Sequence, residues 1–216
     1  MQQIKVLTLC TLLTSGFVAA PAAAAGPDEF GAQGVAALFG ERLFGIHFSR
    51  VRQELPNGNS VNVSDTSIQL GWTGGRGFYS PFEVPRVGFD YFVIDSLSIG
   101  GSLGYASSNV ESGNNDQDNE AFIFAPRVGY AIMFTPVIGF WPRGGFTYHS
   151  TDDDPGGDDS GMAFTAEAMF ILAPVPHFGI LFGPTLDIDF TGDDQDDRDR
   201  RYRTIALVNV GIGGWF

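Results

Sequence analysis

Eight charged residues fall where an alternating chain would gather them on one side of a sheet: Arg86, Asp90, Arg127, Arg143, Glu167, Asp187, Asp189 and Arg203. Their segments alternate bulky apolar residues with small or charged ones, and successive side chains of a strand point to opposite faces. Four arginines against four carboxylates suit two kinds of chemistry. One is a ladder of ion pairs across a narrow interior, where an unpaired charge is strongly penalised. The other is a ring of arginines that binds an anion. The balance of signs makes the ladder the expectation. Three of the arginines recur in one short pattern of proline, arginine, any residue, glycine, aromatic: Pro85 to Phe89, Pro126 to Tyr130 and Pro142 to Phe146.

Catalytic chemistry has fewer candidates. The histidines are His47, His149 and His177. His149 beside Ser150 is suggestive, but adjacent residues of a strand face opposite ways and cannot share a catalytic centre without a bulge. His149 with Thr151 or Glu167 is geometrically freer, yet no nucleophile motif surrounds it. Two acidic runs offer oxygen ligands for a cation: Asp152, Asp153, Asp154, Asp158 and Asp159, then Asp193, Asp194, Asp196, Asp197 and Asp199. Neither has the spaced carboxylates, central glycine and closing glutamate of a dedicated calcium loop. Solvated negative loops are expected, with calcium bound loosely if at all, and no other cofactor is expected. The same loops could bridge through divalent ions to lipopolysaccharide phosphates.

The elements that hold these residues are strands. Alternating segments run at about 62–74, 84–94, 97–111, 120–134, 137–151, 161–174, 178–192 and 201–216. In 120–134, Phe122, Phe124, Val128, Tyr130, Ile132 and Phe134 share one face, opposite Ala125, Arg127 and Gly129. In 178–192, Phe178, Ile180, Phe182, Leu186, Ile188 and Phe190 oppose Gly179, Gly183, Asp187 and Asp189. Placing the bulky face outward puts apolar groups against lipid, where a mid-membrane arginine would cost about 2–4 kcal/mol. Proline removes a ladder hydrogen bond, so bulges are expected where it interrupts a strand.

Connectors alternate in length. Asp95-Ser96, Thr135-Pro136 and the stretch from Pro174 to His177 are short. ESGNNDQDN (111–119), TDDDPGGDDS (151–160) and TGDDQDDRDR (191–200) are long and acidic, with TGGRGFYSPFE (73–83) an odder long member. Outer-membrane barrels have short periplasmic turns and long outer loops. Counting back from the terminal Phe216, every acidic connector falls outside.

The N-terminus points to export. Met1 to Lys5 is a short positive region, Val6 to Ala20 is mostly apolar, and Ala23-Ala24-Ala25 supplies small residues for cleavage. We expect residues 1–25 to be a signal peptide and 26–216 one barrel domain of about 190 residues. Cys10 is the only cysteine, so the mature chain would carry neither disulfide nor thiolate. The net charge of −13 becomes about −14 when Lys5, the only lysine, is removed. Nucleic acid, which needs a basic stripe, is thereby excluded as a partner.

One segment upsets the count. GVAALFGERLFGIHFSRVRQE (34–54) also alternates, and with it there are nine strands where an antiparallel closed sheet needs an even number. It lies outside an eight-stranded wall, or hides two strands of a ten-stranded one, or another of the segments is wrong. The expectation is an all-β, transmembrane, antiparallel up-and-down barrel of eight strands, with ten as the alternative. An eight-stranded interior is just filled by side chains.

The signal peptide, the FDYFVIDSLSIGGSLGY hairpin (89–105) and the closing VNVGIGGWF (208–216) resemble small outer-membrane β-barrel proteins of the OmpA/OmpX type. The resemblance implies an integral protein of the Gram-negative outer membrane, surrounded by its lipid and lipopolysaccharide and monomeric. It also implies that the barrel-assembly machinery reads the last strand through Phe216, Ile212, Val210 and Val208. Gly214 departs from that signal, which usually has a large residue there. The functional expectation is a non-enzymatic barrel serving envelope integrity or surface contacts through its acidic loops. A small-solute channel is the alternative, and a lipid-modifying hydrolase stands behind both.

Overall fold

A computed structural model describes residues 29–54, 59–71, 80–112, 115–154, 157–194 and 200–216. Residues 1–25, expected to be a signal peptide, lie outside them. Ten strands run β1 (Ala36–Glu54), β2 (Ser60–Leu70), β3 (Arg86–Ile94), β4 (Leu97–Ser112), β5 (Asn115–Tyr130), β6 (Ile132–Met133), β7 (Ile138–Asp154), β8 (Gly157–Val175), β9 (Phe178–Asp194) and β10 (Arg200–Trp215). Every pairing is antiparallel, and β10 closes on β1. Eight strands make the closed wall, while β2 and the two-residue β6 are additions to it.

The parity problem therefore resolves by the third alternative, an error in another of the segments. The 34–54 segment is a wall strand, and 62–74 is not. β1 is long enough to take two partners end to end along one edge: Ala36–Glu41 pair with β3, and Phe44–Glu54 pair with β2. Its other edge pairs with β10 over nearly its whole length.

Alternation sets the two faces as expected along β3 to β9. Phe89, Ile99, Leu103, Phe124, Phe146 and Phe182 stand exposed on the outside, while Arg86, Asp90, Arg127, Arg143, Glu167, Asp187 and Asp189 are buried inside. An exposed apolar surface that circles the molecule far exceeds what a water-soluble monomer presents.

The bulges are not where the prolines predict them. β4, β5 and β7 run through Pro126 and Pro142 in unbroken register, and Pro85 precedes β3. Bulges fall instead at Gly40/Phe44 of β1 and Ala206/Asn209 of β10, among other places. The second overturns one reading of a face. An extra residue at Leu207-Val208 inverts the phase above it, so Leu207 and Val208 are both exposed and Arg203 turns outward.

The acidic connectors are also shorter than expected. β4 extends to Ser112 and β5 starts at Asn115; β7 reaches Asp154 and β8 starts at Gly157; β9 reaches Asp194. Backbone pairing continues past the apolar belt, where side-chain alternation no longer reports it. At the opposite end the turns are tight, and Ser96 and His177 adopt φ of 70° and 61°. Thr135 Oγ1 accepts from the Val137 and Ile138 amides at 3.2 and 3.0 Å to fix the third turn.

Candidate site in the barrel lumen

The lumen is filled in three tiers. At the short-turn end Phe30, which precedes β1, enters the barrel. Its ring lies 5.0–6.4 Å from those of Phe39, Phe92, Trp141 and Trp215, edge-on to each. Such contacts add to the burial of aromatic area. Phe30 carries no periodic signal in sequence, and its role here is visible only in the fold.

The middle tier is a chain of charges. Arg127 holds Glu41 bidentately, Nη1 and Nη2 donating at 2.6 and 2.7 Å, and its Nη2 also reaches Asp90 at 2.5 Å. Arg143 donates to Glu41 at 2.6 Å and pairs with Glu167 at 2.8 Å. Arg42 grips Asp187 at 2.9 and 3.2 Å and lies 3.5 Å from Glu167. Thr165 closes the line with a 2.7 Å hydrogen bond to Asp187. Paired, multiply hydrogen-bonded charges of this kind are what a low-dielectric interior requires.

Six of the eight charges from the alternation pattern thus line one region of the lumen, and five of them enter the chain. Arg86 lies beside it, 1% exposed, with no hydrogen bond or ion pair among the described residues. It lines a cavity of about 10 Å³ with Arg127, Arg143, Thr165 and Glu167. Asp189 belongs to the tier above, and Arg203 is outside altogether.

Two participants escape the pattern, Glu41 and Arg42. Strict alternation cannot bury two neighbours, but the β1 bulge does, with Arg42 at φ 56°. The available signal was a charged pair inside LFGERLFG, one member of which alternation would send into lipid.

The upper tier is built by residues 80–84, which fold inward. A 3-10 turn at Pro81–Glu83 is capped by Ser80, whose Oγ accepts from the Phe82 amide. Phe82 packs against His149, Tyr202 and Ala163, and its carbonyl accepts from Arg42 Nη1. Glu83 accepts from Ser49 Oγ at 2.8 Å, and burial raises its carboxyl pKa above the ordinary value. The aromatics of 73–83 were the sequence sign that this connector is unlike the acidic ones.

His149 Nε2 lies 3.2 Å from Asp189 Oδ2, fully buried beneath Phe82. Thr151 Oγ1 donates to the Asp159 carbonyl instead, and Ser150 lies on the opposite face. His47 is buried lower down beside Gly45 and Asn209, and His177 bonds the Trp215 carbonyl at 2.9 Å. The histidines are therefore dispersed.

Of the cation candidates, Asp159 is buried and accepts from Tyr202 Oη at 2.8 Å, and Asp152 is exposed. The backbones of Asp153, Asp154, Asp158, Asp193 and Asp194 lie in paired strand ends, and Asp196 and Asp197 lie outside the described residues. Among the described residues no group of three or more His, Cys, Asp or Glu is arranged to hold a metal. Phe216, Ile212, Val210 and Val208 lie along the outer face of β10, and the Phe216 and Ala36 backbones exchange hydrogen bonds at 2.8 and 2.9 Å.

No family model matches the sequence, and no curated protein matches it significantly. Solved structures do. The chain is similar to neisserial surface protein A, NspA, at 11% identity over 85% of this chain and 98% of that one, with a TM-score of 0.50. It is also similar to Ail, the attachment invasion locus protein of Yersinia pestis, at 12% identity, 85% and 99% coverage and a TM-score of 0.43. A third is the outer membrane protease OmpT of Escherichia coli, at 9%, 85% and 97%, with a TM-score of 0.40. The likeness to NspA is one of fold.

Proposed function

We propose that this protein is an integral outer-membrane barrel without catalytic activity, serving envelope integrity or surface contacts made by its acid-bearing outer hairpins. The fold is that of outer-membrane β-barrels, and the encircling apolar face supports insertion in lipid. Short turns would then face the periplasm and the long hairpins the exterior. Lipid and lipopolysaccharide would be its surroundings, and the assembly machinery its partner during biogenesis.

The observation that carries the reading is the filled lumen. Among the described residues, Phe30 with its aromatic neighbours, the charge chain and the Phe82 segment occupy successive levels, and the cavity beside Arg86 has a volume of about 10 Å³. That is about the room for one water molecule. A catalytic reading lacks support in the same place, because His149 is covered by Phe82 and no hydroxyl hydrogen-bonds it among the described residues.

Planar-bilayer recording with the refolded protein tests the reading. The expected result is insertion, seen as a heat-modifiable folded band, with no step conductance. Regular single-channel steps would overturn it in favour of the small-solute channel.

A further inference from the structure

Outside the lumen, the positive charge of the described residues gathers in one place. Of the arginines whose side chains are described, Arg42, Arg86, Arg127 and Arg143 are buried within, and the remaining four lie on the outer face of the β1–β10 seam. They face one another across it in register: Arg50 opposite Arg203, and Arg52 opposite Arg201. All four are exposed.

Like charges set directly opposite on paired strands repel. The residues paired with Arg50 and Arg203 on the neighbouring strands carry no carboxylate: Arg50 is beside Ser64 of β2 and Arg203 is beside Ile188 of β9. Asp65 lies on the inward side, in register with buried Ser49, and Asp187 and Asp189 are inside the lumen. Arg50 and Arg203 make no ion pair among the described residues. The phase inversion at Leu207-Val208 is what puts Arg203 outside, so this arrangement follows from a built feature of β10.

Height identifies the counter-ion. The next outward rung below Arg50 and Arg203 is Phe48 opposite Ile205, both apolar and exposed. Two residues of strand rise about 7 Å, which is the step from the last apolar rung to the first charged one. On the long-hairpin side that level is the headgroup layer of the outer leaflet. Guanidinium groups bind phosphate with parallel, charge-assisted hydrogen bonds.

We propose that Arg50 and Arg203 form a binding site for the phosphate groups of an anionic outer-leaflet lipid. The site rests on the outer-membrane reading given above and adds its lipid contact. A lipid source is favoured over a soluble acid because the pair sits directly above the last apolar rung of the seam and beside the exposed, apolar Ile188 of β9.

The test uses the refolded barrel in zwitterionic micelles, bisphosphorylated lipid A as the probe and native mass spectrometry as the readout. Wild type should retain lipid A, and R50Q/R203Q should retain it about tenfold less well, the scale of losing charged hydrogen bonds. Phosphatidylcholine should be retained poorly by both. Millimolar inorganic phosphate should not displace the lipid.

Equal lipid A retention by R50Q/R203Q, equal retention of phosphatidylcholine by wild type, or displacement by inorganic phosphate alone would each overturn the proposal. Salt gives the same answer without a variant: retention by wild type should fall as salt rises, and salt-independent retention would count against the site. Folding is read separately. Loss of the heat-modifiable band in wild type would sink the outer-membrane reading and the site together, whereas a folded barrel indifferent to lipid A sinks the site alone.

Discussion

Replacing Arg127 by leucine removes the centre of the lumen chain. Arg127 holds Glu41 through two hydrogen bonds at 2.6 and 2.7 Å and Asp90 through three at 2.5–3.3 Å. Arg143 would still bond Glu41 at 2.6 Å, but its distance to Asp90 is 3.9 Å. Asp90 is thus left buried with one distant cation. Breaking a buried ion pair from one side costs about 3–5 kcal/mol, so R127L should destabilise the barrel by about that much. Arg86 provides the control, because it is also buried but makes no hydrogen bond among the described residues. R86M loses a charge that balances the carboxylates and also removes stranded donors, and these effects oppose each other. Its net change should stay within about 1 kcal/mol. Urea unfolding of the refolded protein in lipid vesicles, followed by tryptophan fluorescence and the heat-modifiable band, measures both. Similar losses for the two variants would refute the claim that hydrogen-bonded pairing, rather than charge alone, holds the interior.

Other expectations concern the remaining tiers. Burial raises the Glu83 pKa, and a group raised on folding loses its contribution as pH rises through the folded value, so E83Q should match wild type near about pH 4 and exceed it in stability by about pH 8. Urea midpoints at each pH would show this, and a gap that closes toward high pH would contradict it. A Cβ on Gly100 would lie 2.1 Å from the Phe89 carbonyl oxygen and 2.6 Å from Asp90 Cα, backbone atoms that cannot swing aside. G100A should therefore cost about 1–3 kcal/mol or prevent folding, as judged by the folded band in gels. Calorimetry with calcium on the folded barrel should give no saturable heat; a saturating isotherm would revive the acidic hairpins as a cation site.

Most of the wall could be read from alternation, because lipid outside and a narrow interior impose opposite demands on neighbouring residues. β3 to β9 obey it through Arg86, Arg127, Glu167 and Asp187. It fails where the backbone gains a residue. Glu41 and Arg42 are missed, and Arg203 is put on the wrong side, because a bulge breaks the period and leaves no composition of its own. The pairing of acidic strand ends was hidden for another reason: beyond the belt both faces meet water, so nothing in the side chains distinguishes strand from loop. Phe30 and Phe82 lie outside periodic segments, and only the closed wall shows that their rings have one apolar place to go.

The irregularities of β1 and β10 also bear on how the cylinder shuts. A closing strand displaced by two residues keeps every apolar side chain facing lipid, so hydrophobicity cannot reject that error. The bulges can. Gly40/Phe44 on one strand and Ala206/Asn209 on the other interrupt the ladder at fixed heights. Sliding them out of step would set kinked backbone against straight backbone and forfeit hydrogen bonds on the final seam. They act as a registration mark, making the last join of the barrel self-checking.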